Sequence, residues 1–234
     1  MEFSGKVVMI TGAAGALGRA LARAFAQAGA RRVLLDRDAA ALGAAFGEDG
    51  PDQMALVADL AEAEAVAGAV AGAVARFGPI EILCTIAGGF RMGPPVHETP
   101  DLLWQQMLGL NAGSLIGAAR AVVPVMLAAG RGRIVTVAAM AGRQGAARMG
   151  AYAAAKSAVI RLTESMSAEL REHGINVNCV LPSIIDTPAN RADMPTADPQ
   201  RWVAPEALAD VILFLASERA RAVHGAALPV VGLS

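Results

Sequence analysis

Tyr152 and Lys156 stand one helical turn apart in Ala151-Tyr152-Ala153-Ala154-Ala155-Lys156, and Tyr152 is the only tyrosine of the chain. Residues four apart on a helix share a face. A phenol has an ordinary pKa of about 10, too high for a good base near neutrality. An ammonium beside it favours phenolate and lowers that value. The pair therefore suits proton exchange with a reacting oxygen. A second group of residues lies near the start of the chain, in Thr11-Gly12-Ala13-Ala14-Gly15-Ala16-Leu17-Gly18. Gly12, Gly15 and Gly18 follow an apolar strand-like run, and Ala16 and Leu17 open a helical pattern. Glycines at such a turn let the backbone approach a phosphate, and the helix start offers free N–H groups to a pyrophosphate.

Two carboxylates extend that reading. Asp36 ends the next strand-like run, 18 residues after Gly18. A carboxylate there can accept both hydroxyls of an adenosine ribose and repels a 2′-phosphate, which favours NAD over NADP. Arg37 beside it could bind such a phosphate, so NADP stays possible. Asp59-Leu60 ends a third run in the same way and suits the adenine, or a plain helix cap.

The elements that must position these residues alternate along the chain. Strands are predicted at Lys6–Ile10, Arg32–Leu35, Met54–Val57, Ile80–Cys84, Arg133–Val137, Ile175–Val180 and Ala227–Val230. Several are continuous apolar runs, the pattern of strands covered on both faces. Leu17, Leu21, Phe25 and Ala28 mark one helical face, and Val66, Val70, Val74 and Phe77 another. Leu102 to Leu115, Tyr152 to Leu170 and Pro205 to Ala216 read as further helices. This alternation predicts an α/β fold: a single-domain, Rossmann-type, doubly wound parallel sheet of about seven strands with helices on both faces. One domain is expected over 1–234. The stretch from Pro182 to Pro199 is rich in Pro, Asp and Asn, and a mobile substrate loop is expected at 183–203.

Composition excludes other classes. Hydrophobic residues make up 55% of the 234, so the chain buries a core. A net charge of −1 argues against nucleic acid as a partner. Cys84 and Cys179 sit in apolar runs, as free thiols of a cytoplasmic protein do. His97, His173 and His224 lack metal-ligand spacing, so no metal is expected. Val7 to Ile10 is too short for a signal segment. Arg120 and Pro124 interrupt the apolar stretch Ala118 to Ala129, so no membrane partner is expected.

The Thr11–Gly18 turn, Asp59-Leu60, Ala87-Gly88, Asn111, Tyr152-x-x-x-Lys156 and Pro182…Thr187, in this order, resemble the short-chain dehydrogenase/reductase family over essentially the whole chain. The resemblance implies hydride transfer between a nicotinamide and a small carbonyl or alcohol, with Tyr152 as acid/base. It implies that Lys156 also binds the nicotinamide ribose and that Asn111 holds a water near Lys156. Ala87 and Gly88 line the cofactor site, and Ile185 and Thr187 hold the carboxamide. Relatives pair through helices around Leu102–Leu127 and Tyr152–Leu170, which implies a homodimer or homotetramer.

The chain departs from the family pattern at four places. Ala16 replaces a glycine of the turn. Thr85-Ile86 replaces an Asn-Asn pair. Ser183 stands where glycine is usual. Ala139, thirteen positions before Tyr152, replaces the hydroxyl that normally orients the substrate oxygen. Loss of such a donor costs about 10²–10³ in rate where it serves. The dihydropteridine reductase branch is similar in several of these stretches, and an imine-type ring would need no serine. Arg91, Met92, His97, Arg143, Gln144 and Met149 are candidate substrate-pocket residues, Arg143 or Gln144 as stand-ins for the missing donor. From a different class, the same departures fit a catalytically weakened nucleotide-binding sensor or partner subunit.

Overall fold

The computed structural model describes residues 2–234. Seven strands form one parallel sheet: β1 Val7–Thr11, β2 Arg31–Asp36, β3 Gln53–Val57, β4 Ile82–Thr85, β5 Gly132–Val137, β6 Ile175–Pro182 and β7 Ala227–Val230. Their order is β3-β2-β1-β4-β5-β6-β7, and every pairing is parallel. All seven predicted strands are present, each within two residues at either end. Parallel strands need long crossovers, and helices supply them. These are α1 Ala16–Gln27, α2 Ala39–Phe46, α3 Ala63–Phe77, α4 Asp101–Leu108, α5 Ser114–Ala129, α6 Gly150–Leu170, α7 Pro188–Asp193 and α8 Pro205–Ala216.

Side-chain alternation along the strands builds two cores. Val8, Ile10, Leu34, Ile82 and Val135 pack with Leu21 and Phe25 of α1 and with Leu208 and Ile212 of α8. Val7, Met9, Val33, Leu83 and Ile134 face the other way, onto Val66 and Val70 of α3 and Val122 and Met126 of α5. The strand order reverses between β1 and β4. In such sheets that switch point opens a crevice beyond the strand ends, and the glycine turn lies there.

The apolar stretch holding Arg120 and Pro124 is part of a longer helix: α4, a π-helical turn at Gly109–Gly113 and α5 run on from Asp101 to Ala129. By length and composition this helix could cross a membrane, but Leu103, Met107, Leu115, Val122 and Met126 are buried in the protein's own cores. The 183–203 segment carries one short α-helix, α7. Thr187 caps α7 and Pro188 occupies its first turn, where a missing N–H costs nothing.

Candidate active site

A cleft of about 560 Å³ opens along the C-terminal ends of β1, β2, β4, β5 and β6. The glycine turn forms its floor. Gly12 has φ +66°, and a Cβ there would lie 2.8 Å from the Ala87 backbone. A Cβ on Gly18 would collide with the carbonyls of Gly12 and Ala13. Only glycine lets the first turn of α1 dock against the β1 and β4 loops this tightly. Gly15 caps α1 without a side chain, so the helix presents its free N–H groups and partial positive charge to the cleft. Ala16 opens the helix beside it and points no polar group into the turn.

Asp36 stands at one end of the cleft with Arg37. Its carboxylate accepts from Ala14 N–H at 3.1 Å and from Asp38 N–H at 3.3 Å. The residue that caps α2 is Asp38, through Ala41 N–H. Asp36 is thereby free of that task and instead joins the end of β2 to the glycine turn. Asp59 accepts from Ala61 N–H at 2.9 Å and lines the same end with Leu60.

Tyr152, Lys156, Ile185 and Thr187 line the opposite end. Tyr152 and Lys156 lie on the first two turns of α6. Lys156 is buried, and its Nζ donates to the Val137 carbonyl at 2.9 Å. The same Nζ lies 5.9 Å from the Tyr152 ring centroid. Burial lowers the ammonium to about 8 and pushes the phenol up to about 12. The sequence led us to expect a phenol pulled below its ordinary value. Desolvation outweighs the lysine and reverses the sign. Phe90 packs edge-on against Tyr152, with ring centroids 4.9 Å apart and planes at 86°.

Asn111 is buried at the π-helical turn. Its Oδ1 accepts from Gly89 N–H at 3.2 Å, and its Nδ2 donates to the Gly89 carbonyl at 3.1 Å and the Met107 carbonyl at 2.9 Å. It clasps the loop after β4. Gly88 is pressed between this side chain and Lys156: a Cβ there would lie 2.8 Å from Asn111 Oδ1 and 3.3 Å from Lys156 Nζ. Ala87 N–H donates to Thr11 Oγ1 at 3.3 Å. Thr187 Oγ1 accepts from Asn190 N–H at 3.1 Å, which leaves its own proton free to donate. Asn190 Nδ2 in turn donates to the Ile185 carbonyl at 2.8 Å.

Ala139 is buried and lines the cleft beside Ala138. The expected substrate-pocket residues are not gathered there. Arg91 lines a neighbouring cleft, while Met92, His97, Arg143, Gln144 and Met149 line neither. Sequence reasoning missed Phe90, Leu110, Ser114 and Asn190. Only the glycine pair before Phe90 hinted that this loop enters the site.

The residues fit a dinucleotide: a carboxylate at one end, a glycine-backed helix start in the middle, and a tyrosine with a lysine at the other. Fold and cleft together define a nicotinamide-dinucleotide oxidoreductase. The sequence profile described as short chain dehydrogenase matches residues 6–198. The chain belongs to the short-chain dehydrogenase family. It is 37% identical to a sorbitol dehydrogenase of Cereibacter sphaeroides over 80% of this chain and 73% of that protein. It is 35% identical to an inactive 2-(S)-hydroxypropyl-CoM dehydrogenase 2 of Xanthobacter autotrophicus, over 91% of this chain and 98% of the other. Among solved structures, NAD+-bound xylitol dehydrogenase superposes with a TM-score of 0.91 at 29% identity, covering 99% of this chain and all of that one.

Proposed function

We propose that this protein interconverts a small alcohol, of the polyol class, and its carbonyl compound, with NAD as the preferred cofactor and Tyr152 as the acid/base. The observation that carries the reading is one cleft in which Tyr152 and Lys156 face the Gly12–Gly18 turn along the line a dinucleotide would take. The polyol class comes from the sorbitol and xylitol dehydrogenases to which the chain is similar. The bound cofactor supplies or takes up the hydride. The chain does the rest. Asp36 accepts the adenosine ribose hydroxyls and disfavours a 2′-phosphate, against the pull of Arg37. Asp59 and Leu60 border the adenine, and Ala87 and Gly88 border the cofactor's middle. Ile185 and Thr187 hold the carboxamide, and Lys156 holds the second ribose. Tyr152 donates its proton to the carbonyl oxygen in reduction and takes one from the alcohol in oxidation. Asn111, by fixing the loop against Lys156, completes the set with a water in its reach. The 183–203 segment closes over the substrate.

Exposed Leu102, Trp104, Ile116 and Leu127 on α4 and α5 support self-association as a homodimer or homotetramer. Tyr152→Phe should abolish NAD-linked oxidation of sorbitol and xylitol while NADH binding stays. Turnover that survives the change removes Tyr152 from its role.

Two other readings rest on Ala139, whose methyl offers no donor to a substrate oxygen. Reduction of a quinonoid dihydropterin needs no such donor, and that substrate belongs in the same assay panel. A weakened nucleotide-binding partner subunit is the other, and similarity to a relative described as inactive gives it support. NADH binding without turnover of any substrate in the panel would favour it.

A further inference from the structure

Ser183 replaces the usual glycine, and the proposed chemistry gives its hydroxyl no task. The structure shows where that hydroxyl goes. Ser183 Oγ donates to the Val231 carbonyl at 2.8 Å and lies 2.8 Å from Ser234 Oγ. Its backbone N–H donates to the Val230 carbonyl at 3.2 Å. Residues after β7 therefore grip the first residue after β6.

The same tail grips the far end of the 183–203 segment. Leu233 N–H donates to the Arg201 carbonyl at 2.9 Å, and Arg201 Nη2 donates back to the Leu233 carbonyl at 2.7 Å. Gly232 makes this approach possible. It has φ +59°, and a Cβ would lie 3.0 Å from the Arg201 carbonyl oxygen and 3.2 Å from that of Trp202. Within the segment, Val203 N–H donates to the Ile184 carbonyl at 2.9 Å and Asp186 N–H to the Val203 carbonyl at 2.8 Å. The two ends are thus joined to each other as well as to the tail. Ser183, Ile185 and Thr187 all line the cleft at its Tyr152 end.

We propose that Val231–Ser234 clamps both ends of this segment, and that Ser183 is a positioning residue for the nicotinamide end of the cofactor. It acts through Ile185 and Thr187, whose backbone path begins at the clamped residue. The positioning claim rests on the proposed NAD(H) reading; the clamp itself does not.

The test compares wild type with Ser183→Ala, Ser183→Thr and Gly232→Val in the full chain. Amide hydrogen exchange is followed at Asp186 and Val203, with β1 amides as the internal control. Affinities are measured for NADH and for ADP-ribose, which lacks the nicotinamide. Ser183→Ala and Gly232→Val should speed exchange at Asp186 and Val203 by about tenfold, with β1 unchanged. Ser183→Ala should weaken NADH by about tenfold while ADP-ribose binding holds, and Ser183→Thr should restore both readouts. Unchanged exchange in both disrupting variants overturns the clamp. Equal losses for NADH and ADP-ribose, or none for either, overturn the positioning role. A wild type that binds ADP-ribose and NADH equally well shows instead that the nicotinamide end is not held, and the cofactor reading fails while exchange still decides the clamp.

Discussion

Lys156 Nζ lies 5.9 Å from the Tyr152 ring centroid, and burial drives their acidities apart. The ammonium is lowered to about 8 and the phenol raised to about 12. Between these values the folded pair is electrically neutral, which a buried pair without a carboxylate partner favours.

The first consequence concerns direction. Reduction needs the phenol, which persists through the alkaline range. Oxidation needs phenolate, whose share rises about tenfold per pH unit below the phenol's pKa. With the ammonium as the phenolate's partner, kcat/KM for oxidation of xylitol should climb with unit slope up to about pH 8, where the lysine loses its proton. It should level off above that, because the neutral pair and the phenolate–ammonium pair carry the same number of protons. A climb that continues to pH 10 would show that the phenolate acts without the ammonium.

Stability should report the lysine. Its folded pKa, about 8, is below the ordinary 10.5. Between the two, the unfolded chain binds more protons, so stability rises with pH in that window. The buried thiols of Cys84 and Cys179, which burial also makes weaker acids, oppose this as the unfolded thiols ionise. The tyrosine opposes it above pH 10, where the unfolded chain loses protons that the fold retains up to about 12. The lysine is therefore read from thermal melts of wild type against Lys156→Met. The variant should raise Tm at pH 7 and by progressively less towards pH 10. A Tm with the same pH slope in both proteins would contradict the burial cost.

Much of this arrangement was legible in the chain. The strands were readable because buried parallel strands are apolar without interruption, as in β1 and β4. The glycine turn was readable because its residues are consecutive. α2 escaped because it buries only Leu42 and its alanines carry no pattern. The Thr187-Pro188 cap of α7 was a readable signal, masked by the Pro, Asp and Asn around it. Phe90 against Tyr152 was not readable, since 62 residues separate them. The sign of the phenol's shift was unreadable for the same reason, because burial depends on what the fold brings over it. The pair spacing shows the attraction and not the desolvation.

Gly12 carries both a positive φ and a backbone contact with no room for a Cβ. Gly12→Ala should cost about 1–3 kcal/mol of stability from the strained backbone. It should also weaken NADH by at least tenfold, because relief requires the turn to lift off Ala87. Denaturant melts and an NADH titration check both. Wild-type affinity in a stable variant would show that the turn does not depend on that contact.

The proposed preference for NAD over NADP rests on Asp36. Removing its charge abolishes repulsion of a 2′-phosphate and leaves Arg37 beside the site. Asp36→Ser should weaken NADH by about tenfold, the worth of hydrogen bonds to a charged group, and should tighten NADPH. The ratio of the two dissociation constants, measured by calorimetry, should fall by about a hundredfold. An unchanged ratio would show that Asp36, through its bond to Ala14, serves only to brace the turn.

Ala139 separates lost chemistry from chemistry that never needed a donor. It is buried in the cleft wall next to Ala138, and it ends the extended stretch beyond β5 with φ −165°. A serine fits that backbone without strain, since extended conformations accept any residue. Its hydroxyl would enter the cleft where a substrate oxygen must approach Tyr152. If the substrate is an alcohol or ketone, Ala139→Ser should raise kcat/KM for xylitol oxidation by about 10²-fold, the ordinary value of one preorganised donor. NADH affinity should not move, because the added group meets the substrate side. If the native substrate is an imine-type ring, the same change should leave its reduction unaltered and raise only the turnover of simple carbonyls. A serine that improves neither would show that the cleft supplies the donor from another residue.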